Sequence, residues 1–186
     1  MDNSISHLGN LVAYQIKLLL ESYNVEEIDQ TQVDSKSRER LLDHLALIII
    51  SSEGFEVVFK LHFTAESAAN FWRARFEAKA NPGTKQIIDW LKEFCNLVAG
   101  KFKQTFESVG IETNHSIPFY LPGYVDYFFK SELSKLVKIK GGDFDFIFSA
   151  MVRVEDKDKF AKVENITNQQ IQSISDNAQD MDDYEL

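Results

Sequence analysis

Apolar and polar positions alternate along this chain with two different periods. Ile5, Leu8, Val12, Ile16, Leu19 and Leu20 recur at spacings of three and four, which predicts a first helix over 5–23 with one apolar face. Residues 24–39 are polar and charged and read as a loop. LLDHLALIII (41–50) then reads as a strand with a mostly buried end. After the turn Ser51-Ser52-Glu53-Gly54, FEVVFKLHF (55–63) switches to period two, with Phe55, Val57, Phe59, Leu61 and Phe63 on one face. These two strands predict a hairpin. Thr64 is placed to cap a second helix over 65–80, which Asn81-Pro82-Gly83 ends. Thr84 is placed to cap a third, KQIIDWLKEFCNLVAGKFKQTFESVG. Two amphipathic helices joined by so short a turn are expected on the same side of a sheet.

Beyond Gly123, residues 124–130 are apolar and read as partly extended. Residues 131–140 and 143–155 alternate on either side of Gly141-Gly142, a hairpin signal, with Phe144, Phe146 and Phe148 on one strand face. From Asp156 the pattern fails. Residues 164–186 hold few large apolar side chains, and Gln170–Leu186 has five acids and no base, so 164–186 is expected to be a mobile acidic tail after a domain of residues 1–163. The element order (helix, two strands, two helices, further strands) predicts an α+β fold: a two-layer arrangement of an antiparallel sheet with helices on one face.

Composition narrows the function classes. With 186 residues, 44% hydrophobic positions and 15 Phe, the chain can bury a sizeable aromatic core. A net charge of −9 and a pI near 4.9 argue against nucleic acid and anionic membrane as partners. The single cysteine, Cys95, excludes an intrachain disulfide and fits a reducing cytoplasm. MDNSISHLGN shows no basic region before an apolar run, so no secretory signal is expected, and the run Leu45–Ile50 is too short to cross a bilayer. The four histidines are scattered, which gives no metal-ligand spacing, and neither nucleotide-binding glycine motif is present. His115 and Ser116 are adjacent in an extended segment and so point to opposite faces, not towards each other. Cys95 falls on the apolar side of its helix and reads as a buried thiol; Trp72 and Trp90 read as packing residues.

The chemistry concentrates in the third helix. Asp89, Glu93, Asn96 and Gly100 form one stripe along it, while Ile88, Leu91, Cys95, Val98, Phe102 and Phe106 form the opposite one. A carboxylate and a carboxamide thus stand side by side on the outer face, next to a residue without a side chain. Polar side chains on the solvent face of a helix ordinarily mean only solubility. Here their order, D-x-x-x-E-x-x-N followed by Gly100-Lys101 and, with 21 residues separating it from Asn96, by Pro118, resembles the CheC/CheX/FliY family of chemotaxis phosphatases. NLVAGK (96–101) and SIPFYLPG (116–123) are closest to its CheX branch. The gap to Pro118 is one residue shorter than in the family's pattern. The likeness is motif-specific over 89–123 and architectural elsewhere.

The resemblance implies a domain built from two related halves and a phosphatase acting on the aspartyl phosphate of a response-regulator receiver such as CheY. In that scheme the chain binds no cofactor of its own, because the receiver supplies the Mg²⁺. Asn96 would position the attacking water, with its oxygen accepting and its NH₂ donating. Glu93 would hold a cationic side chain of the receiver. Asp89, Gly100 and Pro118 would serve the partner interface: Asp89 as an anchor, Gly100 by allowing close approach, Pro118 by shaping its loop. The first helix offers only His7 and Asn10, with His7 where a Glu is needed, so one competent site is expected. A homodimer joined at sheet edges and a cytoplasmic location are also implied. The rival reading is a non-catalytic module on the same fold that binds a receiver or scaffold without hydrolysing anything.

Overall fold

The computed structural model describes residues 2–23, 25, 29–32, 44–77, 79–122 and 132–173. Helix α1 (Asp2–Glu21) leads to a short strand β1 (Asp29–Gln32) and a hairpin of β2 (His44–Ser52) and β3 (Phe55–Phe63). Helices α2 (Ala65–Phe76) and α3 (Thr84–Glu107) follow, then the short strands β4 (Thr113–His115) and β5 (Phe119–Pro122). A second hairpin, β6 (Glu132–Gly141) and β7 (Phe144–Val154), leads to α4 (Lys157–Ala161) and a 3-10 turn (Lys162–Asn165).

The sheet runs β1-β6-β7-β3-β2-β4, with β5 also on β2, and every pairing is antiparallel. Its middle is the β3–β7 pair, in which Phe59 faces Ala150 and Val57 faces Val152. A two-fold relation runs through that middle. Each half is a long helix, a short edge strand or strand pair, and a hairpin. Each edge strand pairs with the other half's hairpin: β1 with β6, and β4 and β5 with β2. The helices cross over in the same way, α1 packing on β6 and α3 on β2. The two related halves are therefore interleaved.

The helices α1, α2 and α3 cover one face of the sheet, and their apolar stripes share one core with that face. Leu8, Ile16 and Leu20 of α1, Phe71 of α2 and Leu91, Val98, Phe102 and Phe106 of α3 are buried against Phe59, Phe63, Phe144, Phe146 and Phe148. Phe71 sits at the centre, with ring centroids 4.9 Å from Phe144, 5.0 Å from Phe146 and 5.1 Å from Phe94. Offset and edge-on aromatic pairs of this kind add to the gain from area burial. On the reverse face Leu45, Leu47, Val58, Ile147 and Met151 are buried too, with Lys60, His62 and Ser149 between them.

Local signals account for most element ends. The Thr64 hydroxyl accepts from the Ser67 amide and caps α2 as predicted. The second hairpin turns at Gly142, whose φ of +55° suits a residue without Cβ. Asp145 ties α2 to both strands of that hairpin, accepting from Ser67 at 2.9 Å and pairing with Lys138 at 2.5 Å, and the Lys138 hydrogen bond holds its carboxyl below the usual range.

The pattern reading needs four corrections. Residues 24–39 contain a strand, β1, which DQTQ does not announce because the ladder uses backbone groups alone. Helix α2 ends at Phe76, before the predicted residue 80. Gly83, not Thr84, precedes α3, and Gln86 Oε1 accepts from the Gly83 amide at 2.8 Å. Residues 164–173, placed in the tail, pack on α1: Ile166 and Ile171 are buried in the core, Ser4 donates to Glu164 at 2.6 Å, and Tyr14 donates to Gln172 at 2.9 Å. The rest of the predicted tail, 174–186, lies outside the described residues, as does the segment 124–130. Among the described residues no helix is long and apolar enough to cross a membrane.

Ile171 is fully buried. Ile171→Ala should therefore cost about 2–5 kcal/mol, the range for such a truncation. A urea midpoint equal to that of the unaltered protein would show that residues 164–173 do not dock.

Candidate functional site

Helix α3 has two working faces. Trp90, Leu91, Phe94, Cys95, Val98, Ala99, Phe102 and Phe106 are buried in the core, a broader stripe than the one read from spacing, with Ile88 only half-buried at its start. The opposite face carries exposed Asp89 and Glu93, partly exposed Asn96 and Gly100, and exposed Gln104. All five line one cavity of about 890 Å³ between α1, α2 and α3, which His115 of β4 also reaches. The cavity therefore brings together four of the five residues singled out by the motif. Pro118 is not among its lining residues.

Glu93 and Asn96 are one turn apart, and the Asn96 amide donates to Glu93 Oε2 at 3.5 Å. That contact orients the carboxamide. Its Oδ1 receives no hydrogen bond among the described residues and is free to accept one. A Cβ built on Gly100 would meet nothing within 4 Å. Neither packing nor backbone conformation demands a glycine there, so its effect is to leave room beside Asn96.

Pro118 stands at the sheet edge, outside the cavity lining. Between β4 and β5 the ladder on β2 is broken at Ser116-Ile117-Pro118. There the Ser116 amide donates to the Ile49 carbonyl at 2.8 Å and the Ile49 amide to Ser116 Oγ at 3.1 Å. The hydroxyl replaces a ladder acceptor, and proline can give none of its own donors to the ladder. Ser116 is thus a structural residue. His115 Nδ1 meets the Ser116 carbonyl, not its hydroxyl.

The first helix does not repeat this arrangement. His7 Nε2 lies 2.8 Å from the Ile166 carbonyl, a bond that fixes the C-terminal segment. His7, Asn10 and Glu164 line a shallow polar depression of about 330 Å³, but its carboxylate comes from the 3-10 turn. Among the described residues no group of three or more His, Cys, Asp or Glu could hold a metal ion.

The pattern reading missed the floor and far wall of the cavity. Gln104 extends the Asp89–Glu93–Asn96–Gly100 stripe by one more turn, a continuation visible in the spacing. Gln15 and Leu18 of α1, Tyr23 in the turn after it, and Trp72, Arg75 and Phe76 of α2 complete the walls, and only the fold brings these segments to α3.

No protein-family model matches the sequence, and no curated protein matches it. Solved structures do. A CheC-like chemotactic protein from Shewanella oneidensis superposes with a TM-score of 0.66 at 11% identity over 80% of this chain and 99% of that one. CheX from Borrelia burgdorferi, solved as a complex with CheY, BeF₃ and Mg²⁺, gives 0.65 at 16% identity over 79% and 97%. The FliM middle domain from H. pylori gives 0.56 at 11% identity over 87% and 99%. The protein is thus an α+β domain with the fold of CheX and CheC-like chemotaxis proteins, a fold that FliM shares.

Burial pushes the Cys95 thiol up to about 12. Its thiolate fraction at neutral pH is therefore negligible, and a maleimide should label Cys95 only at the rate of unfolding. Fast labelling of the folded protein would mean that this face of α3 is open.

Proposed function

We propose that this protein is a CheX-like phosphatase that hydrolyses the aspartyl phosphate of a CheY-like receiver domain. The observation that carries the reading is the Glu93–Asn96 pair: oriented, solvent-facing, and bordered by the empty space over Gly100. An acyl phosphate is labile, and its transfer has a loose transition state governed by positioning and electrostatics. Asn96 fits the positioning role, because its NH₂ is held by Glu93 while Oδ1 can accept from water. Glu93 keeps its second carboxylate oxygen for a cationic side chain of the receiver. Asp89 anchors the interface one turn away, and Gly100 lets the partner's backbone approach. In this reading Mg²⁺ arrives with the receiver, as does the phosphoryl group. The protein works in the cytoplasm, where such receivers are found.

Two further observations bear on assembly and on the rival reading. The β4–β5 edge of the sheet carries no further strand among the described residues, and Ile117 and Phe119 are exposed along it. That edge supports a homodimer joined through its strands. The same fold in FliM favours a binding module without hydrolysis as the alternative, since fold alone does not decide chemistry.

Phosphate release from phosphorylated receivers of the same genome distinguishes the two. Asn96→Ala should lower kcat at least about a hundredfold, the scale of one positioned group, with receiver binding retained. Glu93→Gln should raise KM as well as lower kcat, because it removes a charged contact with the partner. Binding without any acceleration in the unaltered protein would establish the module instead, and full turnover in Asn96→Ala would remove Asn96 from the catalytic role.

Gly100→Ala separates interface from fold. Its methyl meets open space, and replacing a mid-helix glycine by alanine should stabilise the protein by about 1 kcal/mol. The Tm should rise by roughly 2–4 °C for a domain of this size while receiver affinity falls. A rise in Tm with unchanged affinity would remove Gly100 from the interface.

A further inference from the structure

The end of the cavity remote from Asn96 has a different chemistry. Its walls there are Tyr23, Trp72, Phe76 and Trp90, with Phe76 48% exposed at the rim. Arg75 lies across this cluster, its guanidinium carbon 4.6 Å from the Tyr23 ring centroid, 5.5 Å from Phe76 and 5.9 Å from Trp90. It forms no ion pair among the described residues, although the chain carries 29 acidic side chains. Trp90 is only 7% exposed, and its indole N–H has no acceptor among the described residues. A buried indole donor ordinarily finds a partner, and an arginine held flat on aromatic rings keeps the edge of its fork for an anion.

We propose that this end of the cavity binds a small amphipathic carboxylate, an aromatic or aliphatic acid, with its apolar body between Trp72, Phe76 and Trp90 and its carboxylate on Arg75. Three independent features agree. The cavity of which this end is a part, about 890 Å³ in all, lies within the range of ligand pockets, which are mainly apolar with a few placed polar groups. The cation is exposed, lies over aromatic rings and has no ion pair among the described residues. The apolar surface is concave and lies among three helices, unlike the isolated exposed residues of an ordinary surface. A side chain of a protein partner would need only a part of this volume. The site is chemically separate from Glu93 and Asn96, and its occupancy does not require that they be catalytic. Both regions open into one cavity, however, so a bound acid would stand beside the face of α3 that the phosphatase reading gives to the receiver.

Both tryptophans of the chain line this cavity, so intrinsic fluorescence reports occupancy directly. The test titrates the full-length protein with 3-phenylpropionate and with its neutral amide. The acid should give a saturable change with a Kd at or below about 1 mM, and the amide should bind at least tenfold more weakly, about 1.4 kcal/mol. Arg75→Met leaves an exposed helix position intact and should bring the acid down to the affinity of the amide. No saturation by the acid would overturn the proposal. So would equal affinities of acid and amide that Arg75→Met leaves unchanged. An Arg75-dependent response to a receiver domain, with none to the acid, would instead assign the pocket to a side chain of a protein partner. Phosphate release plays no part in this readout, so failure of the phosphatase reading and failure of this one are distinguishable.

Discussion

The pairing of β3 with β7 is the contact on which the rest of the structure depends. It joins the two hairpins into one sheet and sets the register in which Phe59, Leu61 and Phe63 meet Phe146, Phe148 and Ala150 on a single face. Without that continuous face, α1 and α3 would have no common surface to cover. Within the pair Phe59 stands opposite the small Ala150 and packs on Phe102 of α3, their ring centroids 5.1 Å apart. The strand positions are buried on both sides of the sheet, so a slip by one residue would place Lys60 and His62 among the core phenylalanines.

The same helix that closes the core also presents the candidate chemistry. Phe94 and Cys95 point into the interior between Glu93 and Asn96, which face the cavity. The polar pair is consequently mounted on a helix whose position is fixed by packing along most of its length. The mouth of the cavity is less constrained. Arg75 and Phe76 stand at the C-terminal end of α2, where the chain leaves the helix through Glu77 at a φ of +48°.

What could be read from sequence was whatever repeats with a period. The amphipathic stripes of α1 and α3, the alternation in β3 and β7, and the Thr64 cap are all local patterns, and all are present in the fold. β1 was not legible because DQTQ contributes backbone hydrogen bonds and no apolar alternation. Residues 164–173 were not legible because only Ile166 and Ile171 anchor them, two side chains too few to make a pattern yet fully inserted beneath α1. The Glu93–Asn96–Gly100 stripe was visible as spacing. Its setting was not, since Tyr23 follows α1 while Trp72 and Arg75 belong to α2, and they meet α3 only in the tertiary structure. Pro118, expected to shape its loop, stands in the interruption between β4 and β5.

The interleaving of the halves bears on how the protein is made. Neither half closes on itself: α1 packs on β6, and among the described residues β1 pairs with no strand other than β6. While the ribosome is still reading the first hairpin, the apolar stripe of α1 has no surface to rest on, and it gains one only when residues 132–154 have emerged. At roughly 5–20 residues per second the nascent chain must wait several seconds with that stripe uncovered. The long-range pairings that then form also place the domain among slower-folding topologies. A chain ending before β6 would keep the strands that pair on β2 but lack those that α1 covers and that β1 and β3 pair with, a species for chaperones and proteases, not a smaller working domain.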